Sequence, residues 1–137
     1  MISLQLLQLL LAVPFAALRQ HILPEGNLAG LDANIALFGF EFVLYGGFNF
    51  IFFPIYYKNV QRVGAPFILS SVWVFLLIGA EEACTHVIPF MRERIDTADP
   101  QFMAEKLVFL AIGLVLYAVL TWAALRKSVR LFEQQDL

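Results

Sequence analysis

ANIALFGFEFVLYGGFNFIFFPIYY, residues 33–57, carries a single charged side chain, Glu41, in 25 positions. A hydrocarbon core about 30 Å thick is crossed by about 20 helical residues at ~1.5 Å each, so this stretch is long enough to span a bilayer. It lacks the alternation of apolar and polar residues that marks a membrane-barrel strand. Three more runs, 1–18, 63–80 and 107–125, contain no Asp, Glu, Lys or Arg at all. With 61% of residues hydrophobic and only 15% charged, a soluble core of this size would have too little polar surface to cover it. The expected fold is all-α, a polytopic membrane protein forming one four-transmembrane-helix bundle. Its helices are expected at about 1–18, 33–57, 63–82 and 104–126, with an outer loop at 83–103 and a cytoplasmic tail at 127–137.

The first run has no basic residue ahead of it, and Arg19-Gln20-His21 makes a poor cleavage neighbourhood, so it reads as a span and not a signal peptide. Gln5, Gln8 and Pro14 within it are then expected to face other helices. Orientation follows from the cations. Lys58 and Arg62 flank a short crossing without acids, and Arg126, Lys127 and Arg130 follow the last run. On the other side Arg19, Arg92, Arg94 and Lys106 are diluted by Glu25, Asp32, Glu93, Asp96, Asp99 and Glu105. The positive-inside rule places the 58–62 crossing and both termini in the cytoplasm, with Tyr56, Tyr57 and Trp122 as aromatic anchors at the inner headgroups.

The net charge of −2, without any basic stripe, argues against a nucleic-acid partner. Cys84 is the only cysteine, which excludes an internal disulfide and any CxxC site. His21 and His86 have no ligand-spaced neighbours, and no phosphate loop, nucleophile elbow or HExxH motif occurs. No enzyme chemistry, metal site or cofactor is expected; membrane lipid and other subunits are the expected partners.

Three features stand out. Glu41 lies about 10 Å along its helix, where an ionised carboxylate facing lipid would cost about 2.5–3.5 kcal/mol. It is expected to face protein or water, either as a proton or cation site or as a structural acceptor, and no relay partner is evident in the sequence. Ala36, Gly39, Gly46 and Gly47 are expected to form one small-residue stripe, with Val43 between, that lets another helix or another subunit approach closely. The phenylalanines around them show no obvious single stripe. Residues 79–106 are expected to form an outer segment in which Glu81 and Glu82 are solvated, 83–90 are apolar and resting in the headgroups, and Asp99-Pro100 opens the last helix.

The segment Phe53-Pro54-Ile55-Tyr56-Tyr57-Lys58-Asn59-Val60-Gln61-Arg62 resembles the crossing between the fourth and fifth helices of six-helix ATP-binding-cassette exporter permeases. The ending Leu125-Arg126-Lys127-Ser128-Val129-Arg130-Leu131-Phe132-Glu133-Gln134-Gln135-Asp136-Leu137 is similar to the basic tail that closes many of them. The likeness covers residues 34–137. It implies a membrane component of an exporter, working by alternating access, in the inner (plasma) membrane of a bacterial cell. ATP hydrolysis would belong to a cytoplasmic ATPase subunit, so no catalytic residue carries over. The family's first two helices have no counterpart here, which implies a shortened permease, a half-module needing a homo- or hetero-oligomeric partner, or a fragment. From the residues alone two other functions stay open: a small oligomeric secondary transporter or channel using Glu41, and a non-transporting assembly subunit packed through the glycines.

Overall fold

A computed structural model describes residues 1–22, 34–97 and 100–135, apart from the side chains at 9, 17, 19–21 and 100. The described residues are helical almost throughout and contain no strand. Four long helices follow one another: α1 (Ile2–Ile22), α2 (Ile35–Lys58), α3 (Gly64–Val87) and α4 (Met103–Glu133). Of these, α2, α3 and α4 are long and apolar enough to cross a membrane, and α1 is a helix with a shorter apolar stretch, Ile2–Ala16.

Local chemistry sets the ends. The Asn34 side chain accepts the Ala36 amide at 3.1 Å, so α2 begins on a capping residue of the favoured type. After Lys58, the Asn59 carbonyl and side chain accept the amides of Arg62 (3.1 Å) and Gln61 (3.2 Å), turning the chain within a few residues. Pro66 in the first turn of α3 gives up only an amide that has no helical partner there.

Two boundaries differ from expectation. α3 continues through Glu81 and Glu82 to Val87, because nothing in Ala83-Cys84-Thr85-His86 stops a helix, so only Ile88 onward forms the connection. α4 runs on to Glu133, and most of the expected tail 127–137 is helix. The connection itself contains a π turn, Met91–Ile95, and a 3-10 turn, Pro100–Phe102. Asp99, the expected start signal of α4, lies outside the described residues.

The centre of the bundle is α2 against α4. Gly39 meets Phe109, Leu110 and Gly113, Gly46 meets Tyr117, Asn49 meets Thr121, and Tyr57 meets Phe132. The order is the same along both chains, so the pair is parallel, with α3 returning between them in sequence. The buried residues of α4, Lys106, Leu110, Gly113, Tyr117, Thr121, Ala124 and Ser128, recur in steps of three and four. That is the periodicity that keeps a helix seam turned toward its partner. At Gly39 and Gly113 the backbones touch: a Cβ on Gly113 would lie 2.7 Å from the Gly39 Cα, and one on Gly39 would lie 2.5 Å from the Phe109 carbonyl oxygen. Only glycine permits that approach.

The expected single stripe on α2 is in fact two faces. Gly39 and Gly46 serve α4, whereas Gly47, one step round the helix, lies under the Trp73 indole of α3. Ala36 is buried at the end of the helix that Asn34 caps. The aromatics, too, are more ordered than expected: Phe48, Phe52 and Tyr56, at i, i+4 and i+8, stack with centroids 5.4 and 5.6 Å apart. Outward faces of α1, α3 and α4 expose Leu4, Leu10, Phe15, Ile68, Phe75, Leu76, Val115 and Trp122 among others, with Phe75 at 74%. Apolar exposure of this extent belongs to a surface in contact with lipid or other helices. Together with the three candidate spans it suggests an integral membrane protein.

Candidate functional site

Polar residues that would be isolated along the sequence converge where α1 meets α2 and α4. Gln5 and Gln8 stand three apart on one face of α1. Glu41, Tyr45 and Asn49 stand four apart on α2, and Tyr117 and Thr121 four apart on α4. Such spacings place side chains above one another on one helix face. They meet in two clusters.

The inner cluster is neutral and buried. The Asn49 amide, 0% exposed, donates to Gln5 Oε1 and to Thr121 Oγ1, both at 3.0 Å. The Tyr117 hydroxyl donates to the same Gln5 oxygen at 3.0 Å, and Gln5 Nε2 reaches Asn49 Oδ1 at 3.4 Å. Three helices thus meet in the cluster, α4 supplying two of its four side chains, and every polar group has a partner, as burial away from water requires.

The outer cluster holds the carboxylate. Gln8 Nε2 donates to Glu41 Oε1, and the Tyr45 hydroxyl lies 2.6 Å from both Glu41 Oε1 and Gln8 Oε1. Glu41, Gln8 and Tyr45 are each half-buried, unlike the inner group. The described ion pairs, His86–Glu82, Arg92–Glu93 and Arg94–Glu105, lie elsewhere, so the donors that meet Glu41 are neutral. Glu41 therefore faces protein, as expected, but it does have polar company: Tyr45 on its own helix and Gln8 on α1. The sequence signal for this was the i, i+4 spacing 41–45–49 within an apolar run, which reads as a polar face once it is counted.

At the end of the bundle where α2 and α4 begin, the Asn34 amide donates to the Ile95 carbonyl at 2.5 Å, and the fully buried Lys106 donates to the Thr97 carbonyl. Arg94 stands 5.6 Å from the ring centres of both Phe90 and Phe102. A cavity of about 200 Å³ opens there, lined by Asn34, Phe40, Glu81, Glu82, Thr85, Asp96 and Phe109 among others. Glu81, expected to be solvated, is half-buried in its wall, while Glu82 is exposed. His86 is exposed, 3.9 Å from Glu82; His21 lies outside the described side chains.

At the opposite end Lys58, Arg62, Arg126, Lys127 and Arg130 are all exposed and gather together, since α2 and α4 both terminate there. Tyr57 and Phe132 meet edge to face at 6.0 Å, and Gln135 Nε2 donates to the Tyr57 carbonyl at 2.7 Å. The Arg126 guanidinium sits over the Trp122 ring at 4.9 Å. No protein-family model, curated protein or solved structure matches this chain.

Proposed function

We propose that the chain is a membrane component of an ATP-driven exporter, with four spans, both termini in the cytoplasm and an ATPase subunit docked at the end where α2 and α4 terminate. The observation that carries this reading is the joining of the crossing at 53–62 to the end of α4 through Tyr57, Phe132 and Gln135. Those are the two segments in which the sequence resembles exporter permeases. The five cations gathered at that end fit the inner face of a membrane, bacterial plasma membrane included. Force applied there by a partner would reach α2 and α4 together and, through the parallel seam, the opposite face. Purification in mild detergent tests it: a nucleotide-binding protein should accompany the chain, and its loss on Tyr57→Ala with Phe132→Ala would place the docking surface. Recovery of the chain with no nucleotide-binding partner from its native membrane would refute it.

A second reading rests on the Glu41 cluster: a small oligomeric secondary transporter or channel in which that carboxylate couples flux to a proton or cation. Proton- or cation-dependent flux into vesicles reconstituted with the chain alone, lost in Glu41→Gln, would favour it over the first.

A further inference from the structure

We propose that Glu41, Gln8 and Tyr45 form a reversible proton-binding site, in which the Tyr45 hydroxyl turns from Glu41 to Gln8 as the proton arrives. The inference deepens the second reading above by naming the ligand, and it rests on hydrogen-bond accounting around a ring of three side chains. In the arrangement observed, Gln8 Nε2 donates to Glu41 Oε1, and the Tyr45 hydroxyl, with one hydrogen, lies between the Glu41 and Gln8 oxygens. With Glu41 ionised, that hydrogen goes to the carboxylate, which only accepts. Add one proton to it from water and it becomes a donor that needs an acceptor. Its nearest partner, the Gln8 nitrogen, cannot serve.

A rotation of the Tyr45 O–H, whose oxygen lies 2.6 Å from Glu41 Oε1, removes the conflict. The Tyr45 oxygen then accepts from the Glu41 hydroxyl, the Tyr45 hydroxyl donates to Gln8 Oε1, and Gln8 Nε2 goes on donating to Glu41 Oε1. Each side chain keeps a hydrogen-bond partner in both states, so the ring accepts or gives up one proton without stranding any of the three, the outcome that costs most. No bond other than O–H forms or breaks, and no other charge moves.

The surroundings agree. Among the described residues the titratable group that meets Glu41 is Tyr45 on its own helix; α1 presents the neutral Gln8, and Tyr117 of α4 donates to Gln5 in the neighbouring cluster. A metal cation is a poorer fit, because the Gln8 N–H group occupies the face of the carboxylate that a cation would need. The neighbouring Gln5–Asn49–Thr121 cluster, which Tyr117 joins, shows the contrast: buried and without a carboxylate, it serves to hold the helices.

Infrared difference spectra between alkaline and acidic pH, taken on the full chain in lipid nanodiscs, test the site. A carboxylic-acid carbonyl band should appear on acidification and be absent from Glu41→Gln. A glutamine amide band should change with it and vanish from the difference in Gln8→Leu. If Glu41→Gln proves unfolded by circular dichroism, Glu41→Asp moves the carboxyl back by one methylene and must shift the band. The proposal is overturned if the acid band persists in Glu41→Gln, if Glu41→Asp leaves it unmoved, or if the amide stays silent while the acid titrates. A band without any pH-dependent flux keeps the site and removes the transport reading; flux without the band does the reverse.

Discussion

Replacing Gly113 by alanine puts the α2/α4 seam under the most direct strain available. The added Cβ would lie 2.7 Å from the Gly39 Cα and nearer still to the Gly39 carbonyl, where ordinary contact begins at 3.4 Å. Backbone atoms of a helix cannot swing aside, so the pair must part by about 0.7 Å or more, the difference between those distances. A gap of ~0.5–1 Å forfeits a quarter to a half of the dispersion energy of each contact it opens. It would stretch the 3.0 Å bond between Asn49 and Thr121 as well. Overpacking of this kind costs about 1–3 kcal/mol. Against it stands the gain of up to ~1 kcal/mol from replacing a helical glycine by alanine. Gly79 isolates that gain, since a Cβ there meets nothing within 4 Å. Unfolding titrations in mixed micelles should thus find Gly113→Ala less stable than Gly79→Ala by about 2 kcal/mol. Equal stability of the two variants, within ~0.5 kcal/mol, would refute backbone contact between α2 and α4.

Gly47→Ala should displace α3, because the new methyl lands on the Trp73 indole, 2.9 Å from Cδ1 and closer to Nε1; Trp73→Ala should relieve it, and a double-mutant cycle showing no coupling would contradict the packing. Asn49→Leu should loosen α1 by about 0.6–1.7 kcal/mol, the range for interhelical hydrogen bonds in membranes, seen as weaker crosslinking of α1 to α2, whereas unchanged crosslinking would make the inner cluster incidental. Asn34→Ala removes both the cap of α2 and the bond to Ile95, and a loss of about 1 kcal/mol is expected in the same unfolding assay. In a Cys84→Ser background, single cysteines at 60 and 134 should be labelled from the cytoplasmic side only, and labelling from outside would reverse the proposed orientation.

The apolar runs made the long helices legible, because uninterrupted hydrophobicity over such lengths has few other uses. Gly39 and Gly46 were legible as a close-packing face for the same reason: glycine in a helix is costly unless a neighbour needs the space. Which neighbour needed it was not. Gly46 and Gly47 are adjacent in sequence yet about 100° apart around the axis, and their partners, Tyr117 and Trp73, come from runs whose order in space a one-dimensional pattern does not state. Glu41 drew attention because a charge in an apolar run is expensive, while Tyr45, Asn49, Tyr117 and Thr121 did not, since each alone is tolerable there. Their significance lies in convergence, which only the fold supplies. The extension of α3 past Glu81 and Glu82 was obscured by treating acids as a stop; they end hydrophobicity, not helicity.

The length of α4 has a mechanical meaning. Its 31 residues rise about 46 Å, against a hydrocarbon core of ~30 Å. The last turns, rich in Arg126, Lys127 and Arg130, therefore stand clear of the apolar layer as a stiff handle, and Gln135 straps that handle to the end of α2 at Tyr57. A strap between two parallel rods that also touch near their far ends, at Gly39 and Gly113, closes a rigid frame. Within such a frame the rods cannot scissor independently. The frame makes α2 and α4 one unit, and the hydrogen bonds of Gln5 and Gln8 tie α1 to it.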